Sequence, residues 1–300
     1  MAILVRDSMT SDRAMQRARP NHAVAGWGLG FVFLFFLLGL RLDAAAPSTE
    51  TPPGDHLPAA SNVICRIVER ADRVARAGKV QRYVYDKRAV VEELDAEGGV
   101  VKSSAKVYHV DLIGGLPFPR LVKIEGRELT EKEVERETRR EEEFRQKVTR
   151  FNSKQQAEQG HSWITDELVN RFEFVPVKRE FVRGRPALVL TFTSKTPPSD
   201  DGSLQERILT RLGGTIWVDE EDYEVARLDA SLNGTISMGW FGLIGSLNRC
   251  QLLLERARMP EGVWANTKQT IWIVARKLFG AKRYKSTEES SGFRASGGAH

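Results

Sequence analysis

The chain has 300 residues, with 45 Lys and Arg against 40 Asp and Glu and a net charge of +5. With no Lys/Arg block interleaved with aromatics, that balance excludes the electrostatic footprint of a nucleic-acid binder. Two cysteines exclude a disulfide framework. Cys65 and Cys250 either form one bridge, in an oxidising compartment, or stand as two buried small apolar residues.

The first element is the uncharged run Val24 to Leu40, which holds Phe31, Phe33, Phe35 and Phe36. Arg13, Arg17 and Arg19 precede it and Ala44-Ala45-Ala46 follow, the order of a secretory signal. Its length lies between a long signal core and a short membrane span. Pro47 directly after the alanines is a poor neighbour for cleavage. Residues 1–46 are therefore either a signal peptide or an uncut N-terminal membrane anchor. Both place the remainder in the periplasm. Residues 47–60 are Pro-rich and read as a linker. Cys65 has no small-residue lipobox before it, so it is not a lipidation site.

A helix is predicted over 61–77. Ile64, Ile67, Val68, Ala71, Val74 and Ala75 share one face, and Gly78 stops it. Such a stripe must bury against something. Tyr83, Tyr85, Ala89 and Val91 then alternate, as do Val101, Ser103, Ala105, Val107 and His109, across a turn at 96–99. This is a long hairpin. A loop over 114–119 and a short strand over 121–125 follow. Thr130-Glu131-Lys132-Glu133 is a capping box opening a charged helix over 130–156, read as a solvated face with i,i+4 pairs. A short helix is expected around 164–170. From Phe172 onward the pattern is antiparallel strands with short turns, interrupted by a loop at 196–203 and a short helix over 204–212. A Ser/Gly-rich tail over 289–300 is expected to be disordered. Strands with inserted helices, never in β-α-β alternation, predict an α+β fold. Its mostly antiparallel sheet carries a few helices on one side.

Catalytic chemistry finds little support. Of the five histidines, His22, His56 and His300 lie in the signal, linker and tail, leaving His109 and His161 for the folded body. No H-E-x-x-H, paired Cys/His spacing, EF-hand loop, P-loop or G-x-S-x-G elbow occurs, so no catalytic or metal residue is assigned and no cofactor is expected. Asp219, Glu220, Glu221 and Asp222 occupy a hairpin turn and serve its geometry. The segment 236–245 spaces large apolar groups between glycines. It reads either as a glycine-bent strand under the core or as an apolar loop. In the second reading Met238, Trp240, Phe241 and Leu243 touch an acyl chain or bilayer surface.

Several of these segments resemble one family. Tyr83-Val-Tyr85, the stretch Lys123 to Leu129 before the charged helix, Gly214-Thr-Ile-Trp217-Val-Asp219 and Val225-Ala-Arg-Leu228 are similar to those of secreted bacterial proteins of the outer-membrane lipoprotein-sorting (LolA-like) superfamily. The resemblance spans 61–288. It implies an incomplete antiparallel β-barrel whose concave side is covered by helices. It also implies a hydrophobic cavity that relatives use to shield lipoprotein acyl chains. The inserted helix 130–156 departs from the compact carrier. The expectation is a periplasmic, non-enzymatic binder or carrier of lipid or lipoprotein acyl chains, in contact with an envelope membrane or protein partner. Its ligand-facing candidates are Tyr83, Tyr85, Leu188, Leu190, Phe192, Met238, Trp240, Phe241 and Leu243. The alternatives are a membrane-anchored interaction or stress-sensing protein and an exported hydrolase.

Overall fold

The computed structural model describes residues 56–76, 83–151, 165–238, 245–277 and 280–296. The signal or anchor at 1–46, most of the linker, His161, the end of the charged helix and the final residues lie outside them. The chain order is α1 (Ala60–Arg76), β1 (Tyr83–Leu94), β2 (Val100–Ile113), β3 (Leu116–Ile124), β4 (Arg127–Glu128), α2 (Glu131–Phe151) and α3 (Asp166–Asn170). There follow β5 (Phe172–Val182), β6 (Arg185–Ser194), α4 (Leu204–Leu209), β7 (Leu212–Asp219), β8 (Val225–Leu232), β9 (Ile236–Met238), β10 (Gly245–Arg258), β11 (Trp264–Lys277) and β12 (Gly280–Ala295).

The strands form one 12-stranded sheet in the order β4-β3-β2-β1-β12-β11-β10-β8-β7-β6-β5, with β9 on β10. Every pairing is antiparallel and the path does not close. This is the α+β incomplete barrel expected. Two strands exceed the sequence reading. The 114–119 stretch is not a loop: Gly114 and Gly115, both at positive φ, make the turn, and Leu116 to Pro119 already pair with β2. The tail is not disordered from 289: β12 runs on to Ala295, opposite Tyr83. Its Ser/Gly composition hid a strand held by β1.

One row of directly opposed residues crosses nearly the whole sheet: Phe174, Phe192, Gly214, Ala230, Leu252, Ile271, Ser286, Val91 and Ser104. Facing residues share a face, so this row shows where that face changes character. It is apolar from β5 to β11 and mixed beyond, where Ser286 and Ser104 flank Val91. The amphipathic α1 lies on the apolar part, burying Val63 and Ile67 among Leu188, Leu190, Phe192, Ile216, Ala230, Leu232 and Ile236. Leu57, within the segment read as linker, also packs against this core.

Helix α2 takes a different post. Leu121 N–H donates to Glu137 at 3.0 Å, and Arg140 donates to the Pro119 carbonyl. The helix side chains thus take the place of a further strand along the outer edge of β3, the usual hazard of an open sheet. Phe144 packs on the fully buried Phe118, ring centroids 5.1 Å apart. Half of the capping box forms: Glu133 accepts from the Thr130 N–H at 2.8 Å, while the Thr130 hydroxyl donates to the same carboxylate at 2.9 Å and the Glu133 amide donates to the Thr130 carbonyl.

Candidate functional site

The apolar half-face is built by alternation. Every second residue of β6 (Leu188, Leu190, Phe192) points to α1, and the strands beside it supply Ile216, Val218, Ala230 and Leu232 at matching positions. Gly214 is required here by close approach, since a Cβ would come within 2.2 Å of the Asp229 carbonyl oxygen. Phe172, Phe174 and Phe192 form an aromatic cluster at the β5 side, with centroids 5.5 to 6.4 Å apart.

The candidates divide into groups. Leu188, Leu190 and Phe192 come together beneath α1, where Leu190 is 0% exposed and Val63 1%. Tyr83 and Tyr85 stand on β1, six strands away from β6 in the sheet order. That is about 30 Å measured along the sheet at roughly 4.8 Å per strand. They pack instead on Phe293 of β12: Tyr85 stacks at 4.9 Å and Tyr83 meets it edge-on at 6.4 Å. The buried Tyr83 hydroxyl has no hydrogen-bond partner among the described residues. Met238 ends β9, opposite Gly245, while Trp240, Phe241 and Leu243 lie outside the described residues. Phe293 escaped the sequence reading because it sits in the Ser/Gly-rich stretch. The only signal for it was the alternation that a bulge between Val84 and Asp86 interrupts.

Beyond β11 the same face carries charged groups among aromatic and aliphatic ones. Lys87 pairs with Glu288 at 3.3 Å and lies 5.3 Å from the Tyr108 ring centroid. Burial raises the pKa of both Tyr85 and Tyr108, with Glu288 adding to the effect. One surface therefore offers an apolar area beside one that carries charge.

Helix α1 is fastened to the turns at one end of the sheet. Arg66 donates to the Tyr223 hydroxyl at 3.0 Å and lies 4.8 Å over its ring. Arg70 reaches Glu224 at 3.3 Å and the Gly262 carbonyl at 3.1 Å, and Arg256 shares Glu224 at 2.8 Å. The neighbouring acidic turn is fully engaged. Arg179 holds Glu220, Arg185 holds Asp219 and Glu221, and Asp222 accepts from Arg258 and Trp264. Desolvation works against the Asp222 carboxylate, but the Trp264 and Arg258 hydrogen bonds outweigh it and its pKa is lowered. Each of these carboxylates is paired with an arginine, and together they hold the turn in place.

His109 lies between two carboxylates, Nδ1 at 2.7 Å from Asp86 and Nε2 at 3.4 Å from Asp111. A base needs one ring nitrogen for the orienting carboxylate and the other for a nucleophile. Here both face carboxylates. Among the described residues no group of His, Cys, Asp and Glu is placed to hold a metal ion. The cysteines stay unpaired, and Cys65 is exposed rather than buried.

No family model matches the chain and no curated protein matches it. Solved structures do. A DUF1329 family protein from Desulfovibrio piger matches at 11% identity over 78% of this chain and 95% of its own, with a TM-score of 0.25. A LolA superfamily protein from Nitrosomonas europaea matches at 11% identity over 77% and 93%, also at 0.25. The Pseudomonas aeruginosa MucA/MucB complex matches at 10% identity over 77% and 100%, at 0.21. The superfamily that the sequence motifs resemble is thus among the structures found. At these scores the likenesses carry no argument about ligand or partner, which rests on this chain's own geometry.

Proposed function

We propose that this is an exported envelope protein that binds an apolar ligand, a lipid or lipoprotein acyl chain, without catalysing a reaction on it. One observation carries the reading: the apolar half of a broad open sheet is covered by the amphipathic helix α1, with Ile208 and Leu209 of α4 and Leu168 of α3 in the same cluster, and charged groups stand on the same face beside it. An acyl chain displaces or shares that cover, with burial of about 25 cal/mol per Å² driving binding. The area around Lys87, Tyr108 and Glu288 suits the head of an amphiphile. Leu188, Leu190 and Phe192 form the tail-facing wall, with Tyr83 and Tyr85 toward the head. The Arg-preceded apolar run at 24–40 supports export to the periplasm. The position of His109 between Asp86 and Asp111 supports the non-enzymatic reading over the hydrolase.

Titration with a fluorescent fatty acid tests this. Saturable enhancement, competed by unlabelled acyl chains and weakened by Ile64→Asp at the edge of the α1 contact, is expected. Linear, non-saturating enhancement contradicts the proposal.

A further inference from the structure

The strand register brings the tips of two hairpins together at one end of the sheet. Leu94, at the end of β1, lies opposite both Val100 of β2 and Arg283 of β12, so the β1–β2 and β11–β12 tips stand side by side. This rim displays apolar side chains with no cover: Val100 is 56% exposed, Val101 66%, Val91 45% and Tyr284 37%. Val101 is the extra residue where the register shifts between Glu93 and Leu94, an irregularity of the kind that re-aims a side chain.

Cations surround the patch. Lys102, Arg249 and Arg276 are exposed and Arg283 half-buried, and none makes an ion pair among the described residues. Glu92 and Glu93 pair with Lys285 and Lys282. Asp95 accepts only from the neutral Glu97 and Gly99 amides of its own turn and keeps its charge, and Glu97 is exposed beside it. Four cations without an ion pair among the described residues thus stand against two turn acids, and the rim combines shallow apolar tips with a positive excess.

We propose that this rim docks on an anionic lipid bilayer, with Val100 and Val101 entering the headgroup region and Lys102, Arg249, Arg276 and Arg283 meeting lipid phosphates. Apolar tips ringed by cations suit an interface that is oily below and negative above. The inference stands apart from the ligand reading, because Val100, Val101 and the rim cations are not part of the core beneath α1.

The test uses the full chain reconstituted in vesicles, with Cys65→Ser and a fluorophore on Val101→Cys. Cys250 stays unlabelled, since burial pushes its thiol up to about 12. A label on Val175→Cys, at the exposed far edge strand β5, is the control. Brominated phosphatidylglycerol is expected to quench the label at 101 and not at 175. Quenching should fall in phosphatidylcholine vesicles and at raised salt. Arg276→Gln with Arg283→Gln should weaken docking roughly thirty-fold at low salt, at about 1 kcal/mol per cation. Equal quenching at both positions, no quenching at 101, or quenching indifferent to lipid charge and to the arginines overturns the proposal. Loss of solvent exposure at 101 through self-association without quenching also overturns it, in favour of a second copy of the chain.

Discussion

Arg185 grips Asp219 with two hydrogen bonds, Nε to Oδ2 at 2.6 Å and Nη2 to Oδ1 at 2.9 Å. Asp219 is buried, and its Oδ1 also accepts from the amides of Glu221 and Asp222 at 3.1 and 2.8 Å. The Asp219 hydrogen bond is the main reason the Arg185 pKa is raised. This pair shapes the turn against which α1 is fastened. Asp219→Ala is therefore expected to cost about 3 kcal/mol in urea unfolding, within the range for breaking a buried pair. It should also loosen α1, read as faster hydrogen exchange over Ala60–Arg76. A loss below about 0.5 kcal/mol, the scale of surface substitutions, would show the pair to be ornamental.

Stability should fall in acid. The Glu141 carboxylate is held low, chiefly by its hydrogen bond from Arg120, and Asp222 is held low by Trp264 and Arg258 against desolvation. Depressed carboxylates bind fewer protons folded than unfolded, so their contribution is complete above the ordinary carboxylate range of about 4. It is lost as pH falls through the lowered folded values. Thermal midpoints should be level from neutrality to about pH 5 and drop below about pH 4. A midpoint that rises on acidification would contradict this.

The α2 side chains that close the β3 edge carry a separate expectation. Glu137→Ala with Arg140→Ala leaves the Leu121 amide and Pro119 carbonyl without their partners. Sedimentation should then show concentration-dependent association through the bared edge. A variant as monodisperse as the parent chain would mean that the rest of α2 suffices as a shield.

Gly214→Ala should disrupt the β7–β8 pairing, because the added methyl meets backbone rather than a flexible side chain. A loss of about 2 kcal/mol or more is expected by chemical denaturation, well above the usual strand-glycine substitution. Gly115→Ala is milder sterically, since nothing lies within 4 Å of the added atom, though its positive φ still strains alanine.

Much of this was legible in the chain itself. The α1 helix, the Glu133 half of the capping box and the alternation of Leu188, Leu190 and Phe192 are local patterns that survive in the fold, although the stripe read for α1 left out Val63, its most buried residue. The 114–119 stretch and the tail misled because prolines, glycines and serines signal irregularity locally, whereas long partners β2 and β1 hold these segments as strands. The candidate set scattered for a related reason. Alternation shows that Tyr85 and Leu190 face one way, but strand order decides that β12, β11, β10, β8 and β7 stand between them. That order is set by long-range pairing, which no single segment encodes. The grip of Arg66 and Arg70 on Tyr223 and Glu224 was invisible for the same reason.

Native mass spectrometry of the protein purified from its own envelope tests the central claim most directly. The account predicts a discrete adduct with the mass of a lipid or acylated peptide, removed by organic extraction and restored by adding acyl chains. Folded protein that emerges at its bare chain mass, and takes up no acyl chain when offered one, would contradict it.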